Sequence, residues 1–394
     1  MALSLQLPTA SGALAAYTLR GSAPVKPAPG VQFNRIAYSA AHVVADPLAA
    51  IDPWLQCAID WDTTIAYRQR LWSLGLGVAE AMDTAQRGMG LDWPTSLELI
   101  RRSLDAAKDV PGALVASGCG TDHLVLENVK TVDEVIAGYE EQMAAIEKLG
   151  GKLIVMASRA LARVAKGPAD YERVYDRVLS QAKQPVVLHW LGDMFDPALA
   201  GYWGTKDLDA AMDTALGIIA AHANKVDGIK ISLLDKDKEI AMRRRLPAGV
   251  RMYTGDDFNY AELIAGDGVG SEKTHGQSDA LLGIFDAIAP AAAAALGELA
   301  QGNTTRFHDI LGPTVPLSRH IFAAPTRFYK TGVVFMAWLN GHQKHFTMVG
   351  GQQSTRSLPH LAELFRLADA ANLLEQPELA VRRMKTLLAL HGVE

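Results

Sequence analysis

From residue 33 onward the chain alternates short apolar runs with longer amphipathic segments, and this alternation constrains the fold more than any other feature. Eight apolar runs are predicted to be strands, at 33–39, 76–82, 113–117, 152–158, 185–190, 226–232, 250–254 and 267–271. Short, nearly continuous apolar runs are typical of strands that are buried on both faces. Repeated alternation of strand and helix predicts an α/β protein, a (β/α)8 TIM barrel whose parallel strands close on themselves.

The segments between these runs carry helix signals. Segment 131–149 opens with Thr131 and has Glu134 three residues later, which is the pattern of a capping box. Similar amphipathic segments lie at 95–108, 168–182 and 207–222, and an Ala-rich helix is predicted over 278–300. A doubly wound open sheet is the alternative, but no GxGxxG follows the first strand, which disfavours it.

Three regions are predicted along the chain. Residues 1–32 form an N-terminal extension, interpreted as a short strand or hairpin packed on the barrel, and residues 33–303 form the barrel itself. The strand rhythm then stops, and residues 304–394 are predicted to form a helical appendage. Because no low-complexity linker separates the appendage from the barrel, we expect the two to pack together.

Composition excludes several classes of protein. The net charge is −5, and the only basic cluster, 243–245, is better explained as a solvated helix end than as a nucleic-acid contact. No run of about 18 uninterrupted apolar residues occurs, so no membrane span is expected. Two cysteines far apart in sequence form neither a disulfide framework nor a CxxC motif. A cytoplasmic protein is therefore expected.

Candidate site residues come from the C-terminal ends of the predicted strands, where barrel enzymes place their reactive groups. The set includes Glu80, Asp83, Ser117, Arg159, His189, Lys230, Asp256, Asp257 and Glu272. Lys230 lies in the apolar run VDGIKIS, where a charged lysine is costly unless it is paired or neutral. A neutral amine can attack a carbonyl and form a Schiff base. The alternatives are a buried ion pair with Asp256 or Glu272, and the binding of a phosphate or carboxylate group.

Two further features accompany this lysine. His189 lies in the apolar run VVLHW, where a neutral imidazole can transfer protons, although a core histidine bonded to a backbone carbonyl is an equal alternative. Asp256 and Asp257 follow a glycine in YTGDDF. We expect one of these two aspartates to cap the next helix and the other to line the pocket.

The stretch 224–270 resembles the dihydrodipicolinate synthase and N-acetylneuraminate lyase family of class I aldolase barrels. That family has a GIK strand, a GxD strand end and a GadGviS strand, which VDGIKIS, YTGDDF and GDGVGS match here. The resemblance implies that Lys230 is the Schiff-base lysine and that Gly255, Asp256 and Asp257 form the turn beside it. Weaker similarity extends to PVVLHWLGD and ALVASGCGTD, and to the helical C-terminal region.

The chain departs from the family pattern at the substrate. The family's tyrosine on the fifth strand falls on His189, and the arginine that binds a keto-acid carboxylate has no counterpart in LGDMFDP. The family's Thr-Thr-Gly-Glu loop corresponds at best to 83–86, which begins with Asp83 and Thr84. We therefore expect a neutral polyol-like or sugar-derived carbonyl compound to suit this polar, acidic pocket better than pyruvate.

Three hypotheses for function follow, the first two in carbohydrate metabolism. In the first, a Schiff-base-forming lyase, aldolase or dehydratase acts on a sugar-derived or keto-acid carbonyl compound without a cofactor. Lys230 is then the nucleophile and His189 the acid/base; substrate contacts come from Asp83, Thr84, Ser117, Arg159, Gly255, Asp256, Asp257 and Glu272. The second is a sugar isomerase or epimerase that holds Mn²⁺ or Mg²⁺ through Glu80, His189, Asp256 and Glu272. The third is a non-catalytic barrel that binds a small ligand. The resemblance implies a homodimer or homotetramer.

Overall fold

The computed structural model describes residues 3–28, 30, 32–268 and 276–393. Within these residues the strands are β1 Ser4–Pro8, β2 Leu14–Thr18, β3 Ala37–Ala40, β4 Gly77–Glu80, β5 Val115–Cys119, β6 Lys152–Val155, β7 Val186–Leu191, β8 Val226–Ser232, β9 Arg251–Thr254 and β10 Asp279–Leu282. Strands β3 to β10 are parallel and follow one another around a closed barrel, with β10 beside β3. The predicted (β/α)8 TIM barrel is confirmed.

Helices follow the barrel strands and continue beyond the last one. In the described residues they are α1 Trp61–Ser73, α2 Trp93–Ala107, α3 Val132–Lys148, α4 Arg159–Val164, α5 Pro168–Gln181, α6 Leu208–Ala221, α7 Lys236–Arg243, α8 Tyr260–Ala265, α9 Ile284–Ala287, α10 Ala289–Ala300, α11 Thr304–Leu311, α12 Val315–Ile321, α13 Tyr329–Leu339, α14 Leu358–Ala370 and α15 Pro377–Leu390. The predicted capping box at Thr131 and Glu134 is present at the start of α3. None of the described helices has both the length and the apolar character needed to cross a membrane.

The eighth barrel strand is not where the sequence pattern places it. Seven predicted strands overlap β3 to β9, but the prediction at 267–271 is wrong over its described part, since residues 267–268 are outside any strand. Gly266 and Gly268 have φ angles of +83° and +66°, which are incompatible with an extended strand. The strand is instead β10, which occupies the start of the predicted helix 278–300 and delays that helix to α9 and α10.

Side chains on the barrel strands point alternately into and out of the barrel. The interior cluster consists of Tyr38, Ala40, Ala79, Met82, Ala116, Ile154, Val187, Tyr253 and Leu281. On β8, Ile229 and Ile231 belong to the outer cluster that packs against the helices, so Lys230 between them points inward. On β7, Val187 points inward, and His189 two residues later does the same. The two-residue period thus brings the candidate lysine and histidine to the inner face.

The N-terminal segment forms a hairpin, as predicted, in which β1 pairs antiparallel with β2. Asp369 on α14 holds this end of the chain: it accepts hydrogen bonds from the Tyr17 hydroxyl at 2.6 Å and from the backbone N–H groups of Arg20 and Gly21, each at 3.0 Å. One hydrophobic cluster runs from the hairpin through the outer face of the barrel to the C-terminal helices. The division of the chain at residues 32 and 303 therefore stays a prediction.

Asp369→Ala should loosen the N-terminal hairpin. The substitution leaves three donors without their charged acceptor, at an expected cost on the order of 2 kcal/mol in the free energy of unfolding. Urea unfolding measures this cost, and tryptic cleavage at Arg20 reports the release of the segment. Glu363→Ala, on the same helix but partly exposed, is the matched control. Equal stability and equal cleavage rates in the two variants would contradict the role given to Asp369.

Candidate active site

Lys230 is a buried cation on the inner face of the sixth barrel strand, β8. The residue is only 8% exposed, and its ammonium group forms no ion pair or hydrogen bond with any described residue. Burial lowers the pKa of its ammonium group, and the nearby carboxylates of Asp257 and Asp83 only partly oppose this effect. A larger fraction of the amine is therefore neutral than in an ordinary lysine.

Gly255 gives the Lys230 side chain the space it needs. A Cβ atom at this position would lie 2.6 Å from Lys230 Cε, 2.4 Å from Ser232 Oγ and 2.6 Å from the backbone oxygen of Ile231. These distances are below van der Waals contact, and one of the three atoms belongs to the backbone. The turn after β9 therefore requires glycine because it packs directly on the lysine stem.

The two aspartates after Gly255 have different roles. Asp256 accepts hydrogen bonds from the backbone N–H groups of Phe258 and Asn259, and so stabilises the turn before α8. Asp257 accepts from the backbone N–H of Ile284 at 3.0 Å and is 4% exposed. Burial raises the pKa of its carboxyl to about 7, although the positive charge of Lys230 acts in the opposite direction. Asp257 is therefore a proton donor or acceptor suited to neutral pH.

His189 lies next to Lys230 on the adjacent strand, in register with it. Its Nε2 atom is 3.3 Å from Ser232 Oγ, and the residue is 3% exposed. Burial and, secondarily, the charge of Lys230 hold the pKa of the imidazole well below its usual value. The imidazole is thus neutral and is able to accept a proton within the barrel.

A pair of hydroxyl groups lies beside this cluster. Thr84 Oγ1 is 2.8 Å from the hydroxyl oxygen of Tyr329, which belongs to α13 of the C-terminal region. Burial raises the pKa of the Tyr329 phenol, and the carboxylates of Asp83 and Asp257 also raise it, so the phenol stays protonated. The tyrosine ring stacks on Phe322 with centroids 4.3 Å apart, which fixes its position.

Two adjoining cavities of about 190 Å³ and 350 Å³ open at the C-terminal ends of the strands. They share Asp83 and Arg159 in their lining, and the smaller one also reaches His189. Lys230 is not among the described residues that line them, whereas His189, its neighbour on the adjacent strand, lines the smaller one. Arg159 forms an ion pair with Asp196 at this mouth.

Two of the predicted residues do not reach the barrel interior. Ser117 follows the inward-pointing Ala116, so alternation turns it outward, where its hydroxyl is buried without a hydrogen-bond partner. Glu80 also points outward, and its carboxylate receives two hydrogen bonds of 2.9 Å from Arg68 on α1. Both residues were chosen because they lie at a strand end, and the alternation of side chains between the inner and outer faces was not taken into account. The structure corrects them.

The predicted metal ligands do not come together in the described part of the chain. Glu80 is bound to Arg68 on the outer side, Asp256 is engaged in its turn, and Glu272 lies outside the described residues. Within those residues, no group of three or more His, Cys, Asp or Glu side chains is close enough to hold a metal ion. His189 is the one proposed ligand that lies in the cluster around Lys230.

Sequence reasoning missed three residues of this site. Arg87 lies just beyond Asp83 and pairs with Asp122 at 2.9 Å, so reading a few residues past the strand end would have found it. Tyr329 and Lys330 belong to a helix outside the barrel. No local signal marks them, because their place at the site depends on how α13 packs against the barrel mouth.

Asp257→Asn should change how stability depends on pH. The unfolded carboxyl titrates near 3.8, whereas in the folded protein its pKa is about 7. Between these values the folded state binds a proton that the unfolded state releases, so wild-type stability falls as the pH rises. Asp257→Asn has no carboxyl to titrate, so its stability does not fall in this way. The free energy of unfolding of the variant minus that of wild type should therefore rise by on the order of 3 kcal/mol between these two pH values.

Urea unfolding at a series of pH values from about 4 to 8 measures this difference, with the exposed Asp193→Asn as control. The relative gain should level off above neutral pH. A difference that stays constant across the whole window would contradict the raised pKa.

Residues 5–393 match the model of the family described as "Protein of unknown function (DUF993)". Among curated proteins, none matches the chain.

Solved structures of dihydrodipicolinate synthases are similar to this chain. The enzyme from Aquifex aeolicus superposes with a TM-score of 0.64 at 12% identity, covering 87% of this chain and 99% of its own. The enzyme from Thermotoga maritima gives 0.61 at 16% identity, with 86% and 99% covered. A prophage protein of the same family from E. coli K12, in complex with pyruvate, gives 0.61 at 13%, with 92% and 99% covered. The fold that the resemblance implied is confirmed. Sequence identities this low support a conclusion about the fold alone.

Proposed function

We propose that this chain, which belongs to the family described as protein of unknown function DUF993, is a lyase of the class I aldolase type. The observation that carries the proposal is the buried Lys230 amine on the inner face of the sixth barrel strand, without a carboxylate partner among the described residues. A lysine desolvated in this way is a nucleophile for carbonyl compounds. Lys230 forms a Schiff base with the substrate.

The chemistry begins when the neutral Lys230 amine attacks the carbonyl carbon. The C–N bond forms, the carbonyl oxygen becomes a hydroxyl group, and that hydroxyl leaves as water to give the protonated imine. Asp257, with its pKa near neutrality, supplies the proton that the departing water needs. In cleavage, the protonated imine takes the electron pair of the C–C bond that breaks and becomes an enamine. In dehydration, it takes the electron pair of the adjacent C–H bond, and the resulting enamine expels the neighbouring hydroxyl group, which leaves as water with the proton removed from carbon. Hydrolysis of the imine, after protonation of the enamine in the case of cleavage, releases the product and restores the Lys230 amine.

A second proton transfer accompanies the bond cleavage. In a retro-aldol reaction, the hydroxyl group on the departing fragment becomes a carbonyl and loses its proton. His189 is neutral and next to Lys230, and it accepts this proton. The hydroxyl pair of Thr84 and Tyr329 connects the site to the C-terminal region and relays protons during imine formation. In the family that the chain resembles, a tyrosine on the fifth strand relays protons, and Tyr329 takes that role here.

Other parts of the proposal rest on the chemistry of the imine and on the resemblance. The imine is itself the electron sink, so this reaction requires no cofactor. The partner is a small carbonyl compound, and nucleic acid and membrane play no part in the proposal. A homodimer or homotetramer in the cytoplasm stays a prediction.

Borohydride trapping tests the proposal directly. Purified protein is treated with borohydride together with keto acids, keto sugars and sugar acids, and the intact mass is measured. We expect a stable covalent adduct with at least one compound in wild type and in the exposed-lysine control Lys206→Ala. No adduct should form in Lys230→Ala, because the variant lacks the amine.

Other outcomes point to other functions. An adduct that persists in Lys230→Ala would contradict the assignment of the nucleophile. No adduct with any compound, together with a stoichiometric divalent metal, would favour the isomerase or epimerase. Saturable ligand binding without adduct, metal or turnover would favour a binding protein.

A further inference from the structure

Lys330 is a second buried lysine at the barrel mouth, and no carboxylate among the described residues pairs with it. The residue is 2% exposed, and its ammonium group donates to the backbone oxygen of Arg327 at 3.0 Å and to Met89 Sδ at 3.3 Å. By contrast, the buried Arg87 forms an ion pair with Asp122. The remaining contact of the Lys330 ammonium group is with the Tyr329 ring, whose centroid is 4.8 Å away. A buried ammonium group with these neutral contacts is costly unless an anion accompanies it.

The cavity around Lys330 carries an excess of positive charge. It is lined by four cationic side chains and two carboxylates, namely Arg87, Arg159, Arg327, Lys330, Asp83 and Asp196. Arg87 and Arg159 have their own carboxylate partners. Lys330 and the exposed Arg327 remain against the carboxylate of Asp83, so one net positive charge is left for a ligand.

This cavity adjoins the smaller cavity that reaches the neighbour of Lys230. It shares Asp83, Arg159 and Leu191 with the smaller cavity, which reaches His189 beside Lys230. Asp83 interacts electrostatically with both lysines. A substrate bound at Lys330 that also fills the smaller cavity therefore approaches Lys230 on β8.

We propose that Lys330, together with Arg327, binds an anionic oxygen group of the substrate, a phosphate or a carboxylate, while the carbonyl carbon lies at Lys230. The charge distribution carries this inference: cations outnumber carboxylates four to two in the lining of a cavity of about 350 Å³, and the buried Lys330 forms no direct ion pair with a described carboxylate. Charge-assisted hydrogen bonds to phosphate or carboxylate are the strong interactions that such cations make. The position of the carbonyl carbon at Lys230 rests on the proposed function, whereas the anion site at Lys330 does not.

This site changes the expected substrate class. The sequence alone suggested a polar, acidic pocket suited to a neutral polyol-like compound. That expectation counted residues at strand ends, whereas Lys330 and Arg327 come from the segment that leads into α13 and its first turn. The substrate inferred here is an acidic or phosphorylated carbonyl compound.

Calorimetric titration with inorganic phosphate, and separately with acetate, tests the anion site without any chemistry at Lys230. We expect phosphate or acetate to bind wild type and the exposed-lysine control Lys344→Met equally well. In Lys330→Met the affinity should fall by about tenfold or more. Circular dichroism and thermal unfolding verify that the variant is folded. No binding of either anion to wild type, or unchanged affinity in folded Lys330→Met, would overturn the proposal.

A second pair of measurements separates this proposal from the proposed function. Lys230→Ala should bind phosphate or acetate as wild type does, even though it forms no imine. Borohydride trapping then compares dihydroxyacetone with dihydroxyacetone phosphate, and acetone with pyruvate. Wild type should be half-saturated at a lower concentration of the anionic member of at least one pair, and Lys330→Met should lose that preference.

The outcomes of these measurements are distinct. Anion binding through Lys330 without trapping of any compound would sustain the anion site and remove the imine chemistry. Trapping at Lys230 without any preference for an anionic compound, together with no binding of phosphate or acetate, would remove the anion site and leave the imine chemistry. The preferred pair shows whether the group is a phosphate or a carboxylate.

Discussion

An ammonium group on the inner face of a barrel strand is separated from the water that would stabilise its charge, and the surroundings of Lys230 follow from this constraint. Gly255 has no side chain, so the turn after β9 packs on the lysine stem. Asp257 is held nearby by the backbone N–H of Ile284 without forming an ion pair with the lysine. The carboxyl and the amine are each shifted toward their neutral forms, and these are the forms that imine chemistry requires.

The C-terminal helices are part of the site. Helix α13 begins at the barrel mouth with Tyr329, which bonds to Thr84, and with Lys330, which faces the larger cavity. The hydrophobic cluster that includes this helix also contains the N-terminal hairpin and the outer face of the barrel. Stability of the terminal segments and geometry at the mouth are therefore coupled through one packed core.

Local patterns in the sequence were enough to predict much of this arrangement. The apolar strands and the GIK element indicated Lys230 and His189, and the GDD element left open which of Asp256 and Asp257 lines the pocket. Ser117 and Glu80 were misplaced because the two-residue alternation was not followed to the strand ends. Both side chains point out of the barrel. The eighth strand was misplaced for two reasons. Its short apolar run was assigned to the Ala-rich helix that follows it, and the glycine-rich run before it was assigned as the strand.

Contacts between distant parts of the chain could not be predicted in this way. Tyr329 and Lys330 are about 100 residues beyond Lys230 in sequence, and neither lies in a motif. Their roles depend on the packing of α13 on the barrel, which is a property of the tertiary structure. The expectation of a neutral substrate had the same origin, since the cations that change it come from this region.

The proposed chemistry requires a lowered pKa of the Lys230 amine, and a titration of that group tests this requirement most directly. Lysine labelled with ¹⁵N at Nζ gives one resonance for each ammonium group, and comparison with Lys230→Met assigns the signal. A titration of the chemical shift then yields the pKa in the intact protein. We expect a value clearly below the ordinary 10.5 of lysine. A value at or above 10.5 would show that Lys230 is a charged structural residue and would contradict its role as the nucleophile.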